Sequence, residues 1–369
     1  MKKKILNYLF VLLVLVTVDI TLGSLLSSKF LNSSFEFMSL HPYYNHGFER
    51  NKTGVLHFGP LHPQYYTNSL GLKDRRQREV AIASDKRRIL FLGDSYIEGV
   101  GYTYDSTFCG YLSALLDSER YEILNGGVRA YSPKLACLRL EYLLGSDHLR
   151  INDVYLALNS IDMFDDLIYQ DFIPTPVNGP KDKMMSLKKT VIAHSLTFTV
   201  IAFCADQYYV RANNLGSDAA YLYWVKTDNK YNEETNYRFL DYRISWNCPG
   251  LITTPVSEKV IGLCKNDLTR MRKLCSDNGI RFHIIIYPIM GETMPLAQFK
   301  TNNDLFVSLI RNYCAANKTD MIDLDPLFLS DDAGINKKYI QNYCIDGDSH
   351  WNAKGHKRVA DSLYCVINK

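Results

Sequence analysis

The sequence predicts an α/β domain: a three-layer, doubly wound parallel sheet, preceded by an N-terminal membrane helix. Three observations predict it. Short apolar runs recur from residue 87 onward, helical patterns lie between several of them, and the runs are almost continuously apolar rather than alternating. Continuous apolar strands belong to sheets covered on both faces, and in such sheets ligands collect at the carboxyl ends of the strands.

The chain opens on Lys2, Lys3 and Lys4, followed by the nineteen residues "ILNYLFVLLVLVTVDITLG", whose one side chain charged at neutral pH is Asp19. As a helix this run rises about 28 Å, close to the hydrocarbon thickness of a bilayer. The lysines resist translocation, so the expected topology is a single-pass cell-membrane protein with everything after residue 23 extracytoplasmic. A cleaved signal peptide has similar features, and Thr21 and Gly23 are small enough for a weak cleavage site. The length of the apolar run favours an uncleaved anchor over residues 1–23. Asp19 is expected near the outer end, within reach of water.

Residues 24–85, rich in His, Tyr, Asn and Pro, read as an irregular extracytoplasmic lead-in, with a turn centred on Gly71 in "TNSLGLKDRR". The domain proper is expected over 86–369. Its predicted strands are 88–93, 121–124, 153–158, 281–287 and 320–323, and its predicted helices 106–118, 133–145, 256–277 and 303–316. Residues 171–255 interrupt this rhythm and read as an insertion over one end of the sheet. Within it, 186–210 has a helical pattern, but Lys188, Lys189, His194 and Asp206 argue against a second membrane span. Nothing in the chain repeats.

Composition narrows the function. At 369 residues the chain buries enough surface to need no covalent staple. The net charge of +3 is accounted for by Lys2, Lys3 and Lys4, so no basic footprint for a nucleic acid is present. The nine cysteines form no CxxC pair and no metal-like spacing. Most are expected to be buried apolar residues, and their odd number leaves at least one unpaired within the chain. Twenty-six tyrosines are compatible with a carbohydrate site, but base composition is the favoured reading.

The stretch "RRILFLGDSYIEGVG", residues 87–101, carries the chemistry. A core strand stops on Gly93-Asp94-Ser95 and a helix is expected to begin. Ser95 therefore sits at a sheet's carboxyl edge and a helix N-terminus, where free N–H groups favour a developing oxyanion. Serine and aspartate are also ordinary helix N-caps, so the tripeptide alone decides nothing. A second stretch, "CIDGDSHWNAKGHKRVADSLY", places Asp348 and His350 two residues apart before a helical pattern bearing Val359, Leu363 and Ile367. A histidine there can act as base toward a serine, oriented by a carboxylate. A metal site of Asp348, His350 and His356 is disfavoured because no further ligands accompany them.

Together these pieces resemble the SGNH or GDSL-type hydrolases, a family with a flavodoxin-like fold. Gly93-Asp94-Ser95 resembles its first block, Asn125-Gly126-Gly127-Val128 its second, and Asp348-Ser349-His350-Trp351-Asn352 its last, in the Asp-x-His-Trp form of cell-envelope members related to glycan O-acetylation proteins. "NSLGLKD" and "YPIMGE" resemble flanking segments of membrane-anchored members. The resemblance covers roughly residues 67–369. It implies Ser95 as nucleophile, His350 as base, Asp348 as the orienting acid, and the backbone N–H groups of Ser95 and Gly127 as oxyanion donors. The more usual spacing would put the acid at Gly347, and Asp346 is the less favoured alternative.

The third block departs. The family pattern Gly-x-Asn-Asp falls on "LALNSIDMFDD", where Ile161 stands in the place of the donor asparagine. Either Asn159 or Ser160 substitutes, or the hole uses backbone donors only, or the protein is not a catalyst. The resemblance implies a membrane-anchored extracytoplasmic esterase acting on O-acyl esters, with envelope polysaccharide as the expected substrate class and no metal or organic cofactor. The alternatives are an O-acyltransferase using the same Ser-His-Asp triad and a non-catalytic glycan-binding or assembly protein.

Overall fold

A computed structural model describes residues 2–30, 37–56, 58, 60–177, 187, 191, 194–201, 204, 255–289, 296–329 and 332–368. Most of the expected insertion, and the end of "YPIMGE", lie outside the described residues. The chain divides into two units, Met1–His46 with Pro174–Lys230, and Gly47–Ile173 with Tyr231–Lys369.

In the first unit, helix α1 runs Lys2–Phe30. Its stretch Asn7–Leu26 has a mean hydropathy of 2.5 and is long and apolar enough to cross a membrane. The Asp19 carboxylate accepts hydrogen bonds from the Ser195 hydroxyl (2.5 Å), the Thr197 N–H (2.9 Å) and the Thr197 hydroxyl (2.7 Å). These three bonds satisfy a carboxylate that lies within the apolar stretch. Strand β1 (Met38–His41) precedes β2 (Asn45–Phe48), within which the chain passes to the second unit.

The second unit is a mixed, mostly parallel sheet with helices on both faces. Strands β3 (Thr53–Val55), β4 (Gln64–Thr67) and β5 (Lys73–Asp74) lead to β6 (Arg87–Gly93), β7 (Tyr121–Gly127), β8 (Asp153–Leu158), β9 (Arg281–Ile286) and β10 (Asp320–Asp323). Their spatial order is β10-β9-β8-β6-β7-β5-β4-β3. The five parallel strands therefore follow the doubly wound order 2-1-3-4-5, and the order reverses between β6 and β8, the crevice where such folds hold ligands. Ser95 follows β6 at that reversal.

The lead-in is less irregular than its composition implies. β3, β4 and β5 extend the sheet antiparallel beyond β7 through the pair Lys73–Asn125. They cover an edge that would otherwise expose unpaired backbone groups.

The parallel strands form because they can be buried on both sides. Ile89, Leu90, Phe91 and Leu92 are all fully buried, each worth about 1.5–3 kcal/mol of transfer free energy. On one face, Ile89, Phe91, Tyr155 and Ile285 pack with α3 (Phe108–Leu115) and with Val359, Ala360 and Leu363 of the last helix. The opposite face takes α4 (Pro133–Gly145), α5 (Asp162–Tyr169) and α6 (Pro255–Asp277), with α6 packed on the other two. Between α3 and the first parallel strand lies the single turn α2 (Ser95–Glu98).

The remaining helices are α7 (Leu296–Asn317), α8 (Asp325–Phe328), α9 (Ala333–Tyr343) and α10 (Ala353–Ile367). Local caps set their ends. Ser132 accepts the Leu135 N–H with Pro133 at the first helical position of α4, and Asn352 accepts the N–H groups of Lys354 and Gly355 at the start of α10. Cys109, Cys137, Cys264, Cys275, Cys314 and Cys344 are buried and form no disulfide among the described residues. Cys248 lies outside the described residues.

Candidate active site

Three loops meet at the carboxyl edge of the sheet. The first is the turn from β6 into α2. Asp94 caps α2 by accepting the Tyr96 N–H at 2.9 Å. Ser95 takes the first helical position, and its own N–H has no acceptor among the described residues. Its side chain is partly exposed while its neighbours Asp94 and Tyr96 are buried.

The second loop joins α9 to α10. Cys344 bridges to Trp351, Ile345 N–H donates to His350 O (2.8 Å), and Asp348 N–H donates to Ile345 O (2.9 Å). Gly347 holds φ +71 inside this tight loop, a conformation glycine adopts without the Cβ penalty. An aspartate at 347 would be strained, whereas one residue later the chain returns to ordinary geometry and carries Asp348.

The loop delivers a hydrogen-bonded relay. His350 Nε2 lies 2.7 Å from Ser95 Oγ, and His350 Nδ1 lies 2.5 Å from Asp348 Oδ1. The same carboxylate oxygen accepts the His350 backbone N–H at 2.7 Å. A carboxylate can only accept, so the ring proton sits on Nδ1 and Nε2 is left as acceptor for the serine hydroxyl. Burial raises the Asp348 carboxyl, but the hydrogen bond and charge of His350 outweigh it and hold the group below its ordinary value. Asp346 is exposed and makes no bond to His350 among the described residues.

Aromatic rings fix the imidazole. Tyr96 lies against His350 in a tilted arrangement with centroids 4.7 Å apart, Phe58 meets it edge-on at 5.8 Å, and the Tyr96 hydroxyl donates to Ser349 O (2.8 Å). Trp351 packs at 5.1 Å from both Tyr96 and Tyr287. The reading of the sequence did not single out Tyr96 or Tyr287. The signal for Tyr287 was its place at the very end of an apolar strand.

Of the expected oxyanion donors, Gly127 and Asn159 are engaged elsewhere. Gly127 N–H donates to Asn125 Oδ1 at 3.0 Å. Asn159 is fully buried, and its amide hydrogens go to Asp94 Oδ2 (3.2 Å) and the Tyr287 hydroxyl oxygen (3.0 Å). Tyr287 in turn donates to Asp94 Oδ1 at 2.6 Å. Both amide hydrogens of Asn159 are thus used, and they tie the turn after β6 to Tyr287. Ile161 packs against the apolar cluster containing Tyr96, Tyr287 and Trp351. In the turn after β7, Ala130, at φ +60, has an N–H with no acceptor among the described residues.

Among the described residues, no three His, Cys, Asp or Glu side chains converge as a metal site. No family model matches the chain, and no curated protein matches it. Solved structures similar to it include an acetyl xylan esterase (14% identity, 76% of this chain and 99% of that one, TM-score 0.41). Another is a GDSL-like lipase from Bacteroides thetaiotaomicron (14%, 78% and 92%, TM-score 0.36). A third is a psychrotrophic esterase from a Pseudoalteromonas species (13%, 77% and 97%, TM-score 0.40).

Proposed function

We propose that this chain is a serine esterase of the SGNH type, acting on O-acyl esters. One observation carries the reading: Ser95, His350 and Asp348 form an unbroken relay at 2.7 and 2.5 Å at the switch point of the sheet. His350 Nε2 takes the Ser95 hydroxyl proton as Oγ attacks the ester carbonyl. The tetrahedral oxyanion is met by the Ser95 N–H and by the Ala130 N–H. His350 then returns the proton to the leaving alcohol, an acyl-serine remains, and water activated by His350 releases the acid. Asp348 keeps the imidazole in the required tautomer and stabilises the imidazolium.

We take α1 to be an uncleaved anchor with the domain outside, and the substrate to be an O-acylated envelope polysaccharide. The apolar run behind Lys2 to Lys4 supports the anchor, and the Asp-x-His-Trp form of the last block supports the substrate class. The test uses the full chain in detergent with an O-acetylated oligosaccharide, following free acetate. Ser95-dependent acetate release supports the esterase. Acetyl transfer to an added glycan without acetate release favours the transferase, and neither product would leave a binding role.

A further inference from the structure

A buried ion pair joins the helix of the candidate nucleophile to the turn after β7. Glu98 ends α2, three residues after Ser95, and its side chain is fully buried. It holds Arg129 by three bonds: Oε2 accepts the Arg129 backbone N–H (2.9 Å) and Nε (3.2 Å), and Oε1 accepts Nη2 (2.6 Å). Burial would raise this carboxyl, but the Arg129 charge and bonds, with the Lys73 charge, keep it low and ionised. Lys73 is itself buried and grips the end of the same helix, donating to Gly99 O (2.8 Å) and Tyr102 O (2.7 Å). β7 reaches α2 equally closely: a Cβ on Gly127 would lie 2.2 Å from the Glu98 nitrogen.

Arg129 belongs to a strained turn. Tyr131 N–H donates to Val128 O at 3.2 Å, closing a turn over 128–131. Ala130, its third residue, has φ +60, while Arg129 has no positive φ. That is the type II pattern, whose third position favours glycine. Type I would suit alanine better and would turn the central peptide over, reversing the Ala130 N–H. The left-handed conformation is unfavourable for alanine, whose Cβ crowds the backbone there, so something outside the turn must hold it. A buried ion pair is a weak device for stability, but a good one for fixing register.

We infer that Glu98, acting through Arg129, is a positioning residue that locks the 128–131 turn to the Ser95 helix and so keeps the Ala130 N–H aimed at the reacting oxygen. This rests on the esterase reading above. It assigns Glu98 and Arg129 no contact with substrate. The pair sets the relative placement of two donors, Ser95 N–H and Ala130 N–H, that arrive on different strands.

The experiment compares p-nitrophenyl acetate turnover by the full chain, its Ser95→Ala variant, and the double variant Glu98→Leu/Arg129→Met. The double variant removes both partners of the pair together, and Lys73 keeps its two carbonyl acceptors, Gly99 O and Tyr102 O. The expected result is Ser95-dependent activity in the parent and a double variant that unfolds cooperatively, with kcat reduced about 10- to 100-fold and KM unchanged. That loss is a fraction of what one oxyanion donor supplies. A folded double variant with parental kcat overturns the positioning role and leaves the esterase reading intact. A parent with no Ser95-dependent turnover overturns both. If the double variant does not fold, Glu98→Gln, which keeps the shape, carries the same test: a fall in kcat alone supports the role, and an unchanged kcat removes it.

Discussion

Asp348 Oδ1 holds His350 twice, at the ring Nδ1 (2.5 Å) and at the backbone N–H (2.7 Å), so one oxygen fixes both the tautomer and the placement of the imidazole. An acid that grips main chain and side chain together cannot be replaced by a neighbour. Asp348→Asn should lower ester turnover by about 10⁴-fold, the scale seen when a triad histidine loses its tautomer control. Ser95→Ala and His350→Ala should each abolish turnover while leaving cooperative unfolding intact. Asp346→Asn should be close to the parent, and the opposite ranking of the two aspartates would reassign the acid.

Asn159 and Ile161 should behave as supports for the nucleophile turn. Asn159→Ala strips Asp94 and Tyr287 of a shared partner in a fully buried site. Leaving such groups short of a bond costs about 1–3 kcal/mol. Ile161→Asn puts an amide into an apolar contact and should lower the urea midpoint without raising ester turnover. A gain in turnover on Ile161→Asn would mean that position 161 faces the reacting oxygen.

Much of the fold was readable because the parallel strands carry short apolar runs, such as Ile89 to Leu92 in β6 and Val154 to Leu158 in β8, a pattern that needs no partner to be recognised. β3, β4 and β5 were not, since they are two to four residues long and join the sheet only through the pair Lys73–Asn125. Ser95, Asp348 and His350 stood out through short local motifs. Glu98 and Arg129 did not, because their pairing across 31 positions is created by β6 and β7 lying side by side. The engagement of Asn159 was equally hidden: its partners Asp94 and Tyr287 come from other strands, and a residue type at a motif position says nothing about whether its donors are already used.

Acid should destabilise the second unit through His356. Burial among Tyr102, Phe108 and Trp351 depresses this imidazole to about 3, and its Nδ1 has no partner among the described residues. The unfolded chain binds a proton below about 6.5 that the folded chain refuses, so the contribution is complete above 6.5 and is lost as pH falls toward 3. Between pH 6.5 and 5 this is about 2 kcal/mol. Urea titrations should show that His356→Phe flattens this part of the pH profile. An unchanged slope in the variant would place the acid sensitivity elsewhere.

The anchor makes a topological prediction. With Lys2 to Lys4 retained inside, protease added to intact cells or spheroplasts should cut after residue 30 and release domain fragments, while the chain resists alkaline extraction from membranes. A soluble form beginning near Ser24 would instead identify residues 1–23 as a cleaved signal.

The central claim is that Ser95 is a nucleophile activated by His350. The most direct measurement is labelling of the full chain with a fluorophosphonate, followed by mass spectrometry of the modified peptide. The account predicts one phosphonyl adduct on Ser95, lost in His350→Ala even though the serine remains. No adduct, an adduct on another residue, or equal labelling without His350 would contradict it.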